Sequence, residues 1–284
     1  MKVDFHVHTK YSPDSNAEVS EILQFAKRRG LDAIAITDHD NLQGNREARR
    51  IRTSRDVEII PGVELTLPAG KWGLHVIALN IDEYISFRNV EEAILKLRKT
   101  KAILILPHPF RRGTGFFEHV RNQTITKKEQ KIILKNIDYL EILNMKDVRG
   151  SISKTFALSR KYNLPIVAGT DAHYPEFIGM AHTEVSSLRD LLNKKCDRNL
   201  ISVYCKSMPG TMRELVDLLE TANDFRYRWG NTYFARVLAR VLYKLRLNRD
   251  HKDRRLRSEA INLIFNNSAN IKFKKTSKGL EIAE

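Results

Sequence analysis

The sequence predicts an α/β fold: a closed or nearly closed barrel of about seven strands, followed by a basic helical extension. Three observations predict it. Short apolar runs alternate with helix-length segments over the first 200 residues, which signals βα units and a mainly parallel sheet. The number of such runs suits a barrel, with a doubly wound sheet as the structural alternative. After Lys206 the pattern changes to basic, helix-like sequence.

The strand candidates, in order, are VDFHVH (3–8), AIAIT (33–37), EIIPGVEL (58–65), HVIALNI (75–81), AILIL (102–106), YLEIL (139–143) and PIVAG (165–169). Between the first two, Val19, Ile22, Leu23 and Ala26 recur at helical spacing, and Gly30 closes that helix. Val90, Ala93, Ile94 and Leu97 repeat the pattern, and a further helix is expected over 151–162, ending before Leu164-Pro165. The stretch RRGTGFFEHVRNQTITKKEQ (111–130) is polar and glycine-bearing and reads as a loop over one end of the barrel. Three segments are thus expected: a barrel over 1–205, a basic helical extension over 206–265 and a flexible tail over 266–284. From Arg226 to Arg257 there are eleven basic and two acidic residues, with Arg236, Arg240 and Lys244 spaced to share one helix side.

Composition narrows the class. Two cysteines, Cys196 and Cys205, make no disulfide framework, so a reducing, cytoplasmic setting is expected. No apolar run is long enough to cross a bilayer, and strand-like sequence begins by residue 3, which argues against a membrane span or a signal peptide. A net charge of +15 favours polyanionic partners.

The chemistry lies at the strand ends. His6 and His8, two apart on the first strand, point the same way. Asp14 follows a Ser-Pro turn. ITDHD places Asp38, His39 and Asp40 at the end of the second strand, and PGVE brings Glu64 to the third. His75 opens the fourth run, His108 follows the fifth, and Asp171 and His173 follow the seventh. In a parallel barrel such positions converge at one mouth. Six of the nine histidines fall in these motifs. Imidazoles mixed with carboxylates favour Zn, Mn or Fe over Mg or Ca. Nine candidate ligands exceed the needs of one tetrahedral ion, so two or three divalent ions are expected, of the kind that cleave phosphate esters.

FHVHT with SPD, then ITDHD, PGVE, the histidine opening HVIALNI, LPHPF and GTDAH stand in an order that resembles the PHP (polymerase and histidinol phosphatase) superfamily, over roughly residues 1–205. The resemblance implies a distorted seven-stranded (βα)7 barrel that binds up to three metals and hydrolyses phosphomonoesters or phosphodiesters. It implies that His6 and His8 hold one ion with Asp171 in reach, and that Glu64 bridges to a second ion completed by His75 and His108. Asp14, His39 and His173 would hold the third. Glu64, Asp171 and His173 would be catalytic positions around a metal-held hydroxide. Asp38, Asp40 and Glu141 are candidates to orient the imidazoles. Arg111 or Arg112 would meet substrate phosphate, with Lys10 as a weaker candidate, and Tyr174 would either stack on a base or wall the cleft. Only 32 residues separate His75 from His108, so the helical insertion that some relatives carry there is absent. The expected partner is a nucleotide, a short nucleic acid or a small phosphorylated molecule. The alternative to an enzyme is a nucleic-acid-binding module on a metal-stabilised scaffold.

Overall fold

All seven apolar runs are strands in the computed structural model: β1 (Lys2–Val7), β2 (Ala33–Ile36), β3 (Glu58–Leu67), β4 (Leu74–Leu79), β5 (Ile103–Leu106), β6 (Tyr139–Leu143) and β7 (Ile166–Ala168). The structure describes residues 1–53, 56–144, 151–194, 201–206, 270–276 and 279–283. Every residue of β2, β4, β5 and β6 is buried. Continuous burial is the mark of a sheet covered on both faces.

Helices α1 (Val19–Arg28), α2 (Gln43–Ile51), α3 (Val90–Arg98), α4 (Phe116–Arg121), α5 (Lys127–Asn136), α6 (Ile152–Tyr162) and α7 (Leu188–Leu192) supply that cover. α1 buries Val19, Ile22, Leu23 and Ala26, and α3 buries Val90, Ala93, Ile94 and Leu97, the faces their spacing predicts. The α3 face packs with Leu104, Leu106 and Ile133 in one core cluster. A second cluster joins Val3, Phe5, Ile60, Ile77, Ile105 and Val167 to Leu188 and Leu191 of α7.

Three features differ from the sequence expectation. First, the sheet has eleven strands, adding β8 (Ala181–Glu184), β9 (Ser202–Lys206), β10 (Asn270–Thr276) and β11 (Gly279–Ala283), in the order β11-β10-β9-β8-β1-β2-β3-β4-β5-β6-β7. Second, β4 runs antiparallel to β3 and β5, while β1–β2–β3 and β5–β6–β7 pair in parallel. Only residues 68–73 connect β3 to β4, and a parallel crossover needs a dozen or more. A hairpin is therefore forced, and it carries His75 to the same end of the sheet as the tip of β3. Third, residues 111–130 are no plain loop. They hold α4, with Phe116 buried, and the start of α5. Thr126 and Glu129 form a capping box: Thr126 Oγ1 accepts the Glu129 N–H at 3.1 Å, and the Glu129 carboxylate accepts the Thr126 N–H at 2.8 Å.

The barrel is nearly closed. Among the described residues β7 has no ladder to β8 or β1, and the seam is spanned by side chains and by a backbone bridge between Val7 and Ala172. Thr183 Oγ1 of β8 accepts the Ala168 N–H at 2.7 Å and donates to the Ala168 carbonyl at 3.1 Å. Just beyond β7, the His8 N–H reaches the Ala172 carbonyl at 2.9 Å.

The chain divides into two units, Met1–Cys205 with Lys272–Glu284, and Lys206–Ile271. The basic stripe at 226–257 lies outside the described residues. Within 266–284, expected as a flexible tail, β10 and β11 pair as an antiparallel hairpin. No helix among the described residues is long and apolar enough to cross a membrane.

Candidate metal centre

The nine predicted ligands converge. Glu64 sits at their middle, fully buried. Its Oε1 lies 2.8 Å from His75 Nδ1 and 3.0 Å from His108 Nε2. Its Oε2 lies 3.1 Å from His6 Nε2, 3.2 Å from His8 Nε2 and 3.3 Å from His39 Nδ1. Asp171 Oδ1 is 3.4 Å from His6 Nε2 and 3.1 Å from His8 Nε2. Asp14 Oδ2 meets His173 Nε2 at 2.7 Å and His39 Nε2 at 3.5 Å. Three groups bring their donor atoms within 4.8 Å of one another: His6, His8, Glu64 and Asp171; His39, Glu64 and His75; and His8, Asp14, His39 and His173.

Outer partners fix which ring nitrogen faces inward. His6 Nδ1 lies 2.9 Å from Glu141 Oε1, an acceptor, so Nδ1 carries the proton there. His173 Nδ1 likewise lies 2.8 Å from the Asp171 carbonyl. His8 Nδ1 lies 2.8 Å from Ser12 Oγ, whose own proton goes to Asp38 Oδ1 at 2.9 Å. Ser12 can then only accept from His8. In their neutral forms all three rings aim an Nε2 lone pair at the centre, where His6 Nε2 and His8 Nε2 stand 3.0 Å apart. Two lone pairs facing each other repel unless a cation lies between them. This is the arrangement of metal-binding histidines, each oriented through its other nitrogen.

The electrostatics agree. Burial tends to raise the Asp14 carboxyl, yet the His173 and His39 imidazoles hold it well below the usual range. Glu64 is held low in the same way by His75, His6 and His39. Burial works to neutralise His39, but Asp14 and Glu64 pull it up to about 9. His75 is pushed down by burial, and His108 further down by burial and the Arg111 charge. The carboxylates therefore attract positive charge, which protons or divalent cations can supply in competition. Asp14 Oδ1 is buried without a hydrogen bond among the described residues. This nitrogen and oxygen donor set fits Zn, Mn or Fe.

Backbone geometry is held for the same purpose. His108 (φ 26°) and Asp171 (φ 53°) lie in the left-handed region, which costs a non-glycine residue about 1–3 kcal/mol. Glu141 Oε2 accepts the His108 N–H at 2.8 Å, so one carboxylate fixes both His6 and His108. Gly169 permits a close approach to the backbone of β1. A Cβ there would fall 2.5 Å from His6 Cβ and 2.8 Å from His6 N.

Other expected residues divide. Asp38 reaches the centre through Ser12 and is tied to Thr9 N and Oγ1 at 2.6 and 2.7 Å. Asp40 is exposed and accepts the Thr66 N–H at 3.0 Å, touching no imidazole among the described residues. Arg111 pairs with Asp171 Oδ2 at 2.7 Å and Asn144 Oδ1 at 2.8 Å, and Asn144 in turn bonds Glu141. Arg112 is exposed. Lys10 is held by Glu18 and Glu47, and the Tyr174 ring meets Phe177 edge-on. His119, outside the histidine motifs, binds Thr124 Oγ1 and the Gly73 carbonyl, a structural duty.

Asp4, Ser12 and Asn144 were not foreseen. Asp4 is fully buried beneath the site. It accepts from Thr170 N at 2.9 Å, Thr170 Oγ1 at 2.6 Å and Gly179 N at 3.0 Å, which pins the turn leading into Asp171. Burial raises its carboxyl to about 6 despite these bonds. The signal for it was present: Asp4, His6 and His8 form a polar period of two against Val3, Phe5 and Val7.

Glu141→Gln is expected to weaken metal binding by about 10- to 100-fold, the range for partners behind metal ligands. Its amide has one acceptor where the carboxylate serves His6, His108 and Asn144. Metal titration of the variant checks this, and an unchanged affinity counts against the assignment.

Comparison with known proteins gives the same direction. The family model described as the PHP domain matches residues 4–212. An uncharacterised protein of Methanocaldococcus jannaschii is 35% identical over 121 residues, covering 39% of this chain and 68% of that protein. A second from the same organism is 26% identical over 265 residues, covering 87% of this chain and 98% of that protein. Among solved structures, a two-domain protein of Bacteroides vulgatus containing a predicted PHP-like metal-dependent phosphoesterase aligns with a TM-score of 0.58 at 20% identity. That alignment covers 72% of this chain and 64% of the other, so this chain spans just under two thirds of that protein, and the likeness is one of fold.

Proposed function

Since this chain belongs to the PHP domain family, we propose that it hydrolyses phosphate esters with the help of divalent ions at this centre. His6, His8, Glu64 and Asp171 would hold one ion, Glu64 with His75 and His108 a second, and Asp14, His39 and His173 a third. Bound there, the ions supply charge neutralisation at the phosphate and activation of water.

The chain's own residues do the rest. Glu141, Ser12 and the Asp171 carbonyl hold His6, His8 and His173 in the tautomer that binds a cation. Arg111 adds a fixed positive charge beside Asp171, where a phosphate oxygen is accommodated by charge-assisted hydrogen bonds. The observation that carries the reading is the convergence of nine ligand-type side chains with three Nε2 lone pairs aimed inward. A binding module on a metal-stabilised scaffold would not need so complete a set.

The test is hydrolysis of monoester and diester panels by the full chain with Mn or Zn added, beside His108→Ala. The variant is expected to keep its circular-dichroism spectrum and lose at least about 10²-fold in kcat/KM, a loss of the size seen when an electrostatic catalytic group is removed. Equal activity in the two proteins, or none in either across the panels, would overturn the reading.

A further inference from the structure

Asp4 lies in β1 with no exposed surface, at a strand position where burying a charge is costly. Four donors converge on its carboxylate. Oδ1 accepts the Thr170 N–H at 2.9 Å and the His6 N–H at 3.3 Å. Oδ2 accepts Thr170 Oγ1 at 2.6 Å and the Gly179 N–H at 3.0 Å. Thr170 stands immediately before Asp171, and β7 ends two residues earlier, at Ala168. On the other side of Asp171, Ala172 is held by the β1 backbone. Its N–H reaches the His6 carbonyl at 3.4 Å, and its carbonyl accepts the His8 N–H at 2.9 Å. Asp171 is thus bracketed from one strand, by the Asp4 side chain before it and by the β1 backbone after it. Its φ of 53° is one that a non-glycine residue keeps only where its surroundings over-determine it.

We propose that Asp4 is a positioning residue: through Thr170 it sets the place of Asp171, and with it the affinity of the ion that His6, His8, Glu64 and Asp171 hold. This rests on the reading of those four residues as ligands, and Asp4 itself touches no ion. Asparagine cannot take its place. Whichever way the amide turns, its NH₂ faces a backbone N–H, that of Thr170 on one side or that of Gly179 on the other, donor against donor. The turn then shifts. Asp171 Oδ1 moves with it, away from its place 3.1 Å from His8 Nε2 and 3.4 Å from His6 Nε2.

The experiment is a double-mutant cycle on full chains freed of metal: wild type, Asp4→Asn, Asp171→Asn and the two together. Mn(II) binding is read from the electron paramagnetic resonance of the free ion, and hydrolysis of the monoester and diester panels by wild type is measured beside it. Asp4→Asn alone weakens the binding of one ion by about 10- to 100-fold, the range for partners behind metal ligands. In the Asp171→Asn background the same change weakens it by no more than about twofold, because its route to the ion is already cut. A merely structural role moves both backgrounds alike. Should Asp4→Asn not fold, Thr170→Val goes through the same cycle, since it removes only the hydroxyl bond. Its loss alone is about three- to tenfold. Equal Mn(II) affinity in wild type and the single variant, or losses that multiply in the pair, would overturn the inference while ester hydrolysis upholds the phosphoesterase reading. The expected cycle in a chain that cleaves no ester supports Asp4 and overturns the enzyme reading instead.

Discussion

Glu64→Gln is expected to strip metal from the centre. Five imidazoles lie within 3.3 Å of the two Glu64 oxygens, and Glu64 belongs to two of the three ligand groups, as His8 and His39 do. Glutamine keeps the shape but removes the charge and one acceptor, and its NH₂ donates to ring lone pairs that otherwise bind cations. Metal content measured after gel filtration should fall by at least one ion per chain. Hydrolysis should fall by well over about 10²-fold, more than the loss of an outer partner such as Glu141. The fold should survive, because an amide of the same size sits among five donors and acceptors. A variant that retains full metal content would show that Glu64 is not shared between ions.

Gly169→Ala is expected to strike the fold and the centre together. The added methyl would meet His6 Cβ and His6 N, the backbone of the central strand β1, and also Glu141 Oε1 at 3.0 Å. Backbone cannot rotate away as a side-chain tip can. Overpacking of this kind costs about 1–3 kcal/mol and sometimes more, and the upper end applies here. For a domain of this size that lowers the melting temperature by about 6–12 °C. Any shift that relieves the clash also moves His6 off Glu64 and Glu141. A thermal melt at saturating metal is the measurement, and an unshifted midpoint would count against the close approach.

The sequence was most readable where one physical rule sufficed. Period two aimed His6 and His8 together, and helical spacing marked the buried faces of α1 and α3. The ends of apolar runs located His39, His108, Asp171 and His173. Other features needed two facts at once. The reversal of β4 follows from a connection too short for a crossover, a point visible in residues 68–73. β8 reads AHTE and buries only Ala181 and Thr183, which give almost no hydrophobic signal. α2, QGNREARRI, buries Gly44, Asn45 and Ala48, small or polar residues that no apolar stripe reveals. The outer partners were hardest. Asp38 acts through Ser12, and Asp4 acts through Thr170. Such links depend on residues brought together from distant parts of the chain, 26 and 166 positions apart.

Among the described residues β7 has a ladder to β6 but none to β8 or β1, and this has a consequence for how the barrel is fastened. Backbone pairing ties every other joint of β1 to β7, but this one is held by Thr183, Asp4 and two bridging amides. The first ligand group straddles that joint, with His6 and His8 on one side and Asp171 on the other. Cations held there, as the proposed function requires, would act as a clasp across that seam. Tightness of the barrel and readiness of the mouth would then be one equilibrium: removal of the ions would first loosen the stave that carries Asp171 and His173.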